Sequence, residues 1–259
     1  MRWRPSFRQT SRAMEPTSRP PVPEPGGVTA SAEPRQRWRV RFLRRPDAPQ
    51  LPQREQLAAW EAALVASGLP LAGLDLPVPR PRIVQAAPLP VGMAAEGELI
   101  DLFLVDRRAV ADVRIALAAS MPAGHELVDV HDVWLGESPI SGRVVAADCR
   151  VELATGAGLP DRATLEAAIG RLMDAATLPR TRDKGGRSVD YDLRPLVAGI
   201  DVVPPSHGRP GALRIRTRFD PARGVGRPEE VLAALSELAG TALRAGSIVR
   251  ERLILADDD

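Results

Sequence analysis

The chain has 259 residues, 44% apolar and 26% charged, enough to bury a sizeable core as one large domain or two small ones. Its single cysteine, Cys149, excludes a disulfide framework, a cysteine-rich zinc site and an iron–sulfur cluster held by three or four thiolates of this chain. No run approaches the ~18 consecutive apolar residues of a membrane span, and the N-terminus has no apolar secretory core. A soluble cytoplasmic protein with no cofactor of its own is the expectation.

The net charge of +2 is unevenly spread. Residues 1–45 carry +8, 46–179 carry −8, 180–228 carry +6 and 229–259 carry −4. Basic blocks of this kind suit an acidic partner, a phosphate backbone or the chain's own acidic blocks. Of the 35 basic residues all but Lys184 are Arg, a skew that codon bias explains as well as guanidinium chemistry does.

In chain order, residues 1–34 hold seven Pro and no apolar periodicity, which predicts a disordered Pro/Arg-rich tail. Arg37 to Phe42 alternates strictly, predicting a strand with Trp38, Val40 and Phe42 inward and three Arg outward. Leu57, Trp60, Leu64 and Val65 form one helical face, stopped at Gly68. Strands are expected at Ile83–Ala87 and Glu98–Val105. A helix capped by Asp106 should carry Val110, Val113 and Leu117, and a strand should run from His125 to Leu135. This is the β-α-β-β-α-β order of a ferredoxin-like unit over residues 35–136.

After a linker at 137–146 the order repeats over 147–259. Cys149, Val151 and Leu153 alternate with charged residues, and Asp161 caps a helix bearing Leu165, Ile169, Leu172 and Met173. A strand pair flanks the turn Asp183-Lys184-Gly185-Gly186. Leu213 to Phe219 alternates with Arg214, Arg216 and Arg218. Pro228 starts a helix with Glu229 and Glu230 in its first turn, ending at Gly240, and Ile248–Leu255 closes the unit. The expected fold is therefore α+β, two tandem ferredoxin-like (βαββαβ) units with antiparallel sheets behind a disordered tail.

Three tracts carry a family resemblance. They are Ala87-Pro88-Leu89-Pro90-Val91-Gly92 followed by Glu98-Leu99-Ile100-Asp101-Leu102, then Val189 to Leu196, then Gly226-Arg227-Pro228-Glu229-Glu230-Val231-Leu232. Together they resemble the radical SAM-associated, or radical SAM-linked, protein family, a domain of unknown function fused or adjacent to radical SAM proteins. The resemblance spans Trp38 to Leu255. It implies an accessory role to a separate radical SAM protein, such as one that modifies RNA, and no known catalytic residue. Where that family carries histidine-bearing segments, this chain reads Leu51-Pro52-Gln53-Arg54-Glu55 and Leu76 to Pro81. Because Cys149 stands alone, the cluster such chemistry needs would sit on another polypeptide.

The sites the residues suggest are mostly cationic. On the open face of such sheets Arg39 and Arg41 form one row, and Arg214, Arg216 and Arg218 with Arg150 a second. Arg250 and Arg252 form a third on the last strand. These eight arginines are the anion- or RNA-binding candidates, suited to phosphate contact rather than base readout because the alternation turns Trp38, Phe42 and Phe219 inward. His125, Asp129 and His131 lie at even spacing but too far apart for a compact metal shell, with only His207 to complete it; no metal site is expected. Gly136-Glu137-Ser138-Pro139-Ile140 departs from a nucleophile elbow at its last position. Arg223 to Arg227 enters a helix whose first-turn glutamates repel a phosphate.

Arg180-Thr181-Arg182-Asp183-Lys184-Gly185 resembles the Arg-Thr-Asp-x-Gly loop of pseudouridine synthases, with Arg182 inserted. Two functions follow as expectations. The first is a non-catalytic accessory or adaptor protein that works with a separate radical SAM enzyme and binds RNA through basic strands. The alternative is an RNA-modifying enzyme of pseudouridine-synthase type with Asp183, Asp190 or Asp192 as nucleophile.

Overall fold

The computed structural model describes residues 32–154, 160–183, 185–205 and 211–256. The expected tail, 1–34, lies outside these residues except for 32–34, as do Lys184 and His207. The first half runs β1 (Gln36–Arg44), α1 (Gln53–Ala66), β2 (Ile83–Gln85), β3 (Ala94–Leu104), α2 (Val110–Ser120) and β4 (His125–Val133). The second runs β5 (Val144–Leu153), α3 (Arg162–Asp174), β6 (Pro179–Asp183), β7 (Ser188–Asp192), β8 (Val197–Val203), β9 (Ala212–Asp220), β10 (Gly224–Val225), α4 (Pro228–Ala239) and β11 (Ala245–Leu255).

Local chemistry sets most of these boundaries. The Asp161 carboxylate accepts from the Thr164 amide at 2.7 Å and starts α3. Pro228 opens α4, and Gly240 closes it at φ 65°, a left-handed conformation that glycine adopts without a Cβ clash. Asp106 does not cap α2. The helix begins at Val110 without a side-chain cap, because the Arg108 amide is already taken by the side chain of Gln36 at 2.7 Å. On α1 the buried seam is narrower than expected: Trp60 and Leu64 are buried, but Val65 is 53% exposed.

The fold is mixed α+β with a mostly antiparallel sheet. Nine strands make that sheet in the order β10-β9-β5-β11-β3-β1-β4, with β2 added to β3 and β8 to β9, while β6 and β7 pair as a separate hairpin. Alternation sorts the residues as anticipated. Trp38, Val40 and Phe42 meet Trp60 and Leu64 of α1 and Val113 and Leu117 of α2. Val151, Leu213 and Ile215 meet Leu165 and Leu172 of α3 and Val231 and Leu235 of α4. Each helix-covered face buries apolar area at ~25 cal/mol per Å².

A parallel seam joins the two halves, where Val249 and Arg250 of β11 pair with Ala94 and Ala95 of β3. Gly97 permits the approach, since a Cβ there would stand 3.0 Å from the Glu251 carbonyl oxygen. At the seam Arg250 is buried and bound to both Glu98 oxygens at 2.5 and 2.6 Å, and it also donates to the Pro88 and Ala87 carbonyls at 3.1 and 3.3 Å. Nearby Arg44 is buried too, donating to Met93 O at 2.6 Å and Pro49 O at 2.8 Å. Burial lowers its pKa, partly offset by the Glu98 charge.

Removing one member of a buried, hydrogen-bonded ion pair leaves the other charge without compensation. Glu98→Leu should therefore lower the unfolding free energy by about 3–5 kcal/mol in a denaturant titration, and adding Arg250→Met should recover much of that loss. Equal stability of Glu98→Leu and the parent chain would show that the seam does not depend on the pair.

Candidate nucleic-acid interface

The candidate arginines alternate with inward apolar residues, but strand pairing sets carboxylates among them. In the first half Asp101 is fully buried and takes Arg37 at 2.6 and 2.9 Å and Arg39 at 2.9 and 3.1 Å. Arg39 also reaches Glu137 at 2.9 Å, and Glu137 pairs with Arg143. The segment expected as a linker thus covers part of this face: Arg37 donates to the carbonyls of Glu137 and Ser138, and Ile140 is buried. Arg41 alone of this row is exposed.

In the second half Asp148 lies opposite Arg216 on β9 and Arg252 on β11. Its side chain, 4% exposed, accepts from Arg216 at 2.7 and 2.9 Å and from Arg252 at 2.8 Å. Burial works to raise the Asp148 carboxyl, but the hydrogen bonds and charges of the two guanidiniums outweigh it and hold the pKa below the usual value. Arg214 pairs with Glu251 at 2.9 Å and buried Arg150 with Glu152 at 3.3 Å. Exposed Arg218 donates to the Pro195 carbonyl at 3.1 Å.

Arg250 and Arg252 do not share a face. A β-bulge at Glu251 pairs Arg250 with Cys149 and Arg252 with Asp148, adjacent β5 residues that point to opposite sides. Of the eight candidates, Arg39, Arg150, Arg214, Arg216, Arg250 and Arg252 are therefore each matched by a carboxylate. Among the described residues Arg41 and Arg218 have no such carboxylate.

The other candidates are engaged structurally. Asp183 accepts from the Gly186 amide at 3.0 Å across the exposed β6–β7 hairpin. Asp190 takes the Thr181 hydroxyl at 2.6 Å, and Asp192 takes the Leu178 and Arg194 amides at 2.7 and 3.0 Å. His125 packs on Phe42 and Trp60, each ring centroid 5.7 Å away, and burial lowers its pKa. Asp129 and His131 face each other at 3.9 Å, and Asp129 is also held by Arg114 at 2.7 Å. A bulge in the β1–β4 pairing lies between these two and His125. Among the described residues no group of three His, Cys, Asp or Glu is placed to hold a metal. Cys149 is buried, which pushes its thiol up to about 12. It lines a cleft of about 210 Å³ with Thr217, Arg227 and Pro228 at the start of α4.

Sequence reading missed Trp134, 76% exposed just beyond the end of β4. The available signal was the break in alternation at Trp134-Leu135, two consecutive apolar residues with no inward face left to fill.

Because the Asp148 pKa is depressed on folding, its contribution is complete above the ordinary carboxylate value of about 4 and is lost as pH falls through the lower folded value. Asp148→Asn should cost about 2 kcal/mol at pH 7. Urea midpoints of the two proteins should converge as pH is lowered past 4; a gap independent of pH would contradict the pairing.

A family model described as "Uncharacterized protein conserved in bacteria (DUF2344)" matches residues 37–224. No curated protein matches the chain. Similar solved structures include a Cbf5–Nop10–Gar1 complex, at 10% identity and TM-score 0.42, covering 83% of this chain and 49% of that one. Another is an H/ACA RNP bound to a substrate RNA containing 2′-deoxyuridine, at 11% identity and TM-score 0.37, covering 83% and 47%. A third is an archaeal box H/ACA sRNP Nop10–Cbf5 complex, at 9% and 0.37, covering 82% and 46%. The chain spans about half the length of these chains.

Proposed function

We propose that this chain, which belongs to the bacterial family of uncharacterized proteins DUF2344, is a non-catalytic accessory protein that binds RNA for a separate enzyme. The observation that carries the reading is the division of labour among its charged groups. The groups suited to chemistry are spent on structure: the Cys149 thiol is buried and protonated, and Asp183, Asp190 and Asp192 hold turns and strand ends. Guanidiniums without a carboxylate partner among the described residues remain at the surface, Arg41 and Arg218 on the sheet and Arg35 and Arg107 at its end.

The architecture supports a scaffold role. The strand orders β4-β1-β3-β2 and β11-β5-β9-β8 are each the 4-1-3-2 order of a ferredoxin-like unit, which favours reading residues 35–136 and 147–259 as tandem copies fused through one seam. A radical SAM protein as the enzyme served comes from the motif resemblance alone. On this reading Asp183, Asp190 and Asp192 are not nucleophiles, and replacing any of them leaves RNA binding intact.

Purified full-length chain should retain a single-stranded RNA oligonucleotide at low salt. Neutralising three or four phosphates gives a slope of log K against log salt of about −2 to −3. Absence of binding at low salt, or binding indifferent to salt, would overturn the proposal.

A further inference from the structure

Most arginines on the sheet are neutralised from within, so binding capacity has to be sought where an accessible cation meets an accessible apolar surface. One place combines them. At the N-terminal end of β1 and the C-terminal end of β4, a shallow cleft of about 460 Å³ is lined by Arg35, Gln36, Arg107, Asp132 and Trp134 among others. Trp134 is the one exposed aromatic among the described residues. Its ring lies over Gly136, where a Cβ would stand 2.5 Å from Cζ2. Arg35 and Arg107 are both exposed, and neither side chain makes an ion pair or hydrogen bond among the described residues.

The cleft has a built floor. Gln36 is buried, and its Oε1 accepts from the Arg108 amide at 2.7 Å and from Trp38 Nε1 at 3.3 Å. Its Nε2 donates to Arg108 O and to Asp132 Oδ2, both at 3.3 Å. One side chain thus ties the loop that carries Arg107 to β1 and β4, the strands next to Arg35 and Trp134. An exposed indole beside two guanidiniums that make no ion pair among the described residues suits a nucleotide, whose base stacks on the ring while its phosphates meet the cations. The carboxylate of Asp132 would repel a phosphate but can accept a ribose 2′-hydroxyl, which favours RNA over DNA.

Resting on the RNA-binding reading above, we infer that Trp134, Arg35 and Arg107 form a stacking site for one nucleotide of single-stranded RNA, with Gln36 as its positioning residue. The carboxylate-paired arginines of the sheet are not the contact surface.

The test is titration of the full chain with a fluorescently labelled oligouridine at low salt. Trp134→Ala, at an exposed position, should weaken binding about 10-fold, and Trp134→Phe should restore part of it. Arg35→Gln combined with Arg107→Gln should flatten the salt slope by about 1.4, whereas Arg214→Gln on the sheet should change neither quantity. DNA of the same sequence should bind more weakly than RNA, and equal binding would overturn the role given to Asp132. If the parent binds RNA and Trp134→Ala binds equally well, the site is overturned while the RNA-binding reading stands. If the parent binds no RNA, both fall.

Discussion

A guanidinium taken out of water must find acceptors, and the sheet meets that requirement strand by strand. Asp101 lies between Arg37 and Arg39, Asp148 between Arg216 and Arg252, and Glu98 holds Arg250 at the seam. Each carboxylate sits on a strand beside that of its arginine, so pairing register and charge matching enforce one another. The seam is the extreme case. A short parallel strand contact joins the two halves, flanked by apolar packing of Ala86 and Ala87 against Ala147, Leu253 and Leu255, and a buried bidentate pair bridges it.

This self-neutralisation decides where function can lie. A paired arginine offers a phosphate little, because the incoming anion must displace a carboxylate that is already close and partly desolvated. Most arginines in the rows that look like an anion platform in the sequence are already engaged with carboxylates of the chain itself. What remains available among the described residues are cations without a carboxylate partner, and at one end of the sheet two of them line a cleft with an exposed indole.

Much of the fold could be read from residue patterns. The alternation at Trp38–Phe42 and Leu213–Phe219, the Asp161 cap and the Pro228 and Gly240 boundaries are local signals, and local physics set them. Features that depend on distant partners could not be read. The bulge at Glu251 separates Arg250 from Arg252, and nothing in the tract Arg250-Glu251-Arg252 announces it. The Asp106 cap fails because Gln36, 72 residues away from Arg108, claims the loop. The basic rows were visible, but apart from Glu152 beside Arg150 their carboxylate partners come from other elements, so charge counting could not distinguish a binding surface from a network of ion pairs. Trp134 was not legible as a surface group because the expected strand ran on to Leu135, whereas β4 ends at Val133 and leaves the indole exposed.

The most direct measurement of the central claim is ultraviolet cross-linking of the full chain to single-stranded RNA, with the attached peptides mapped by mass spectrometry. The account predicts adducts on the peptide that contains Trp134, at the end of β4. Adducts concentrated instead on the β9 peptide containing Arg214, Arg216 and Arg218 would contradict it.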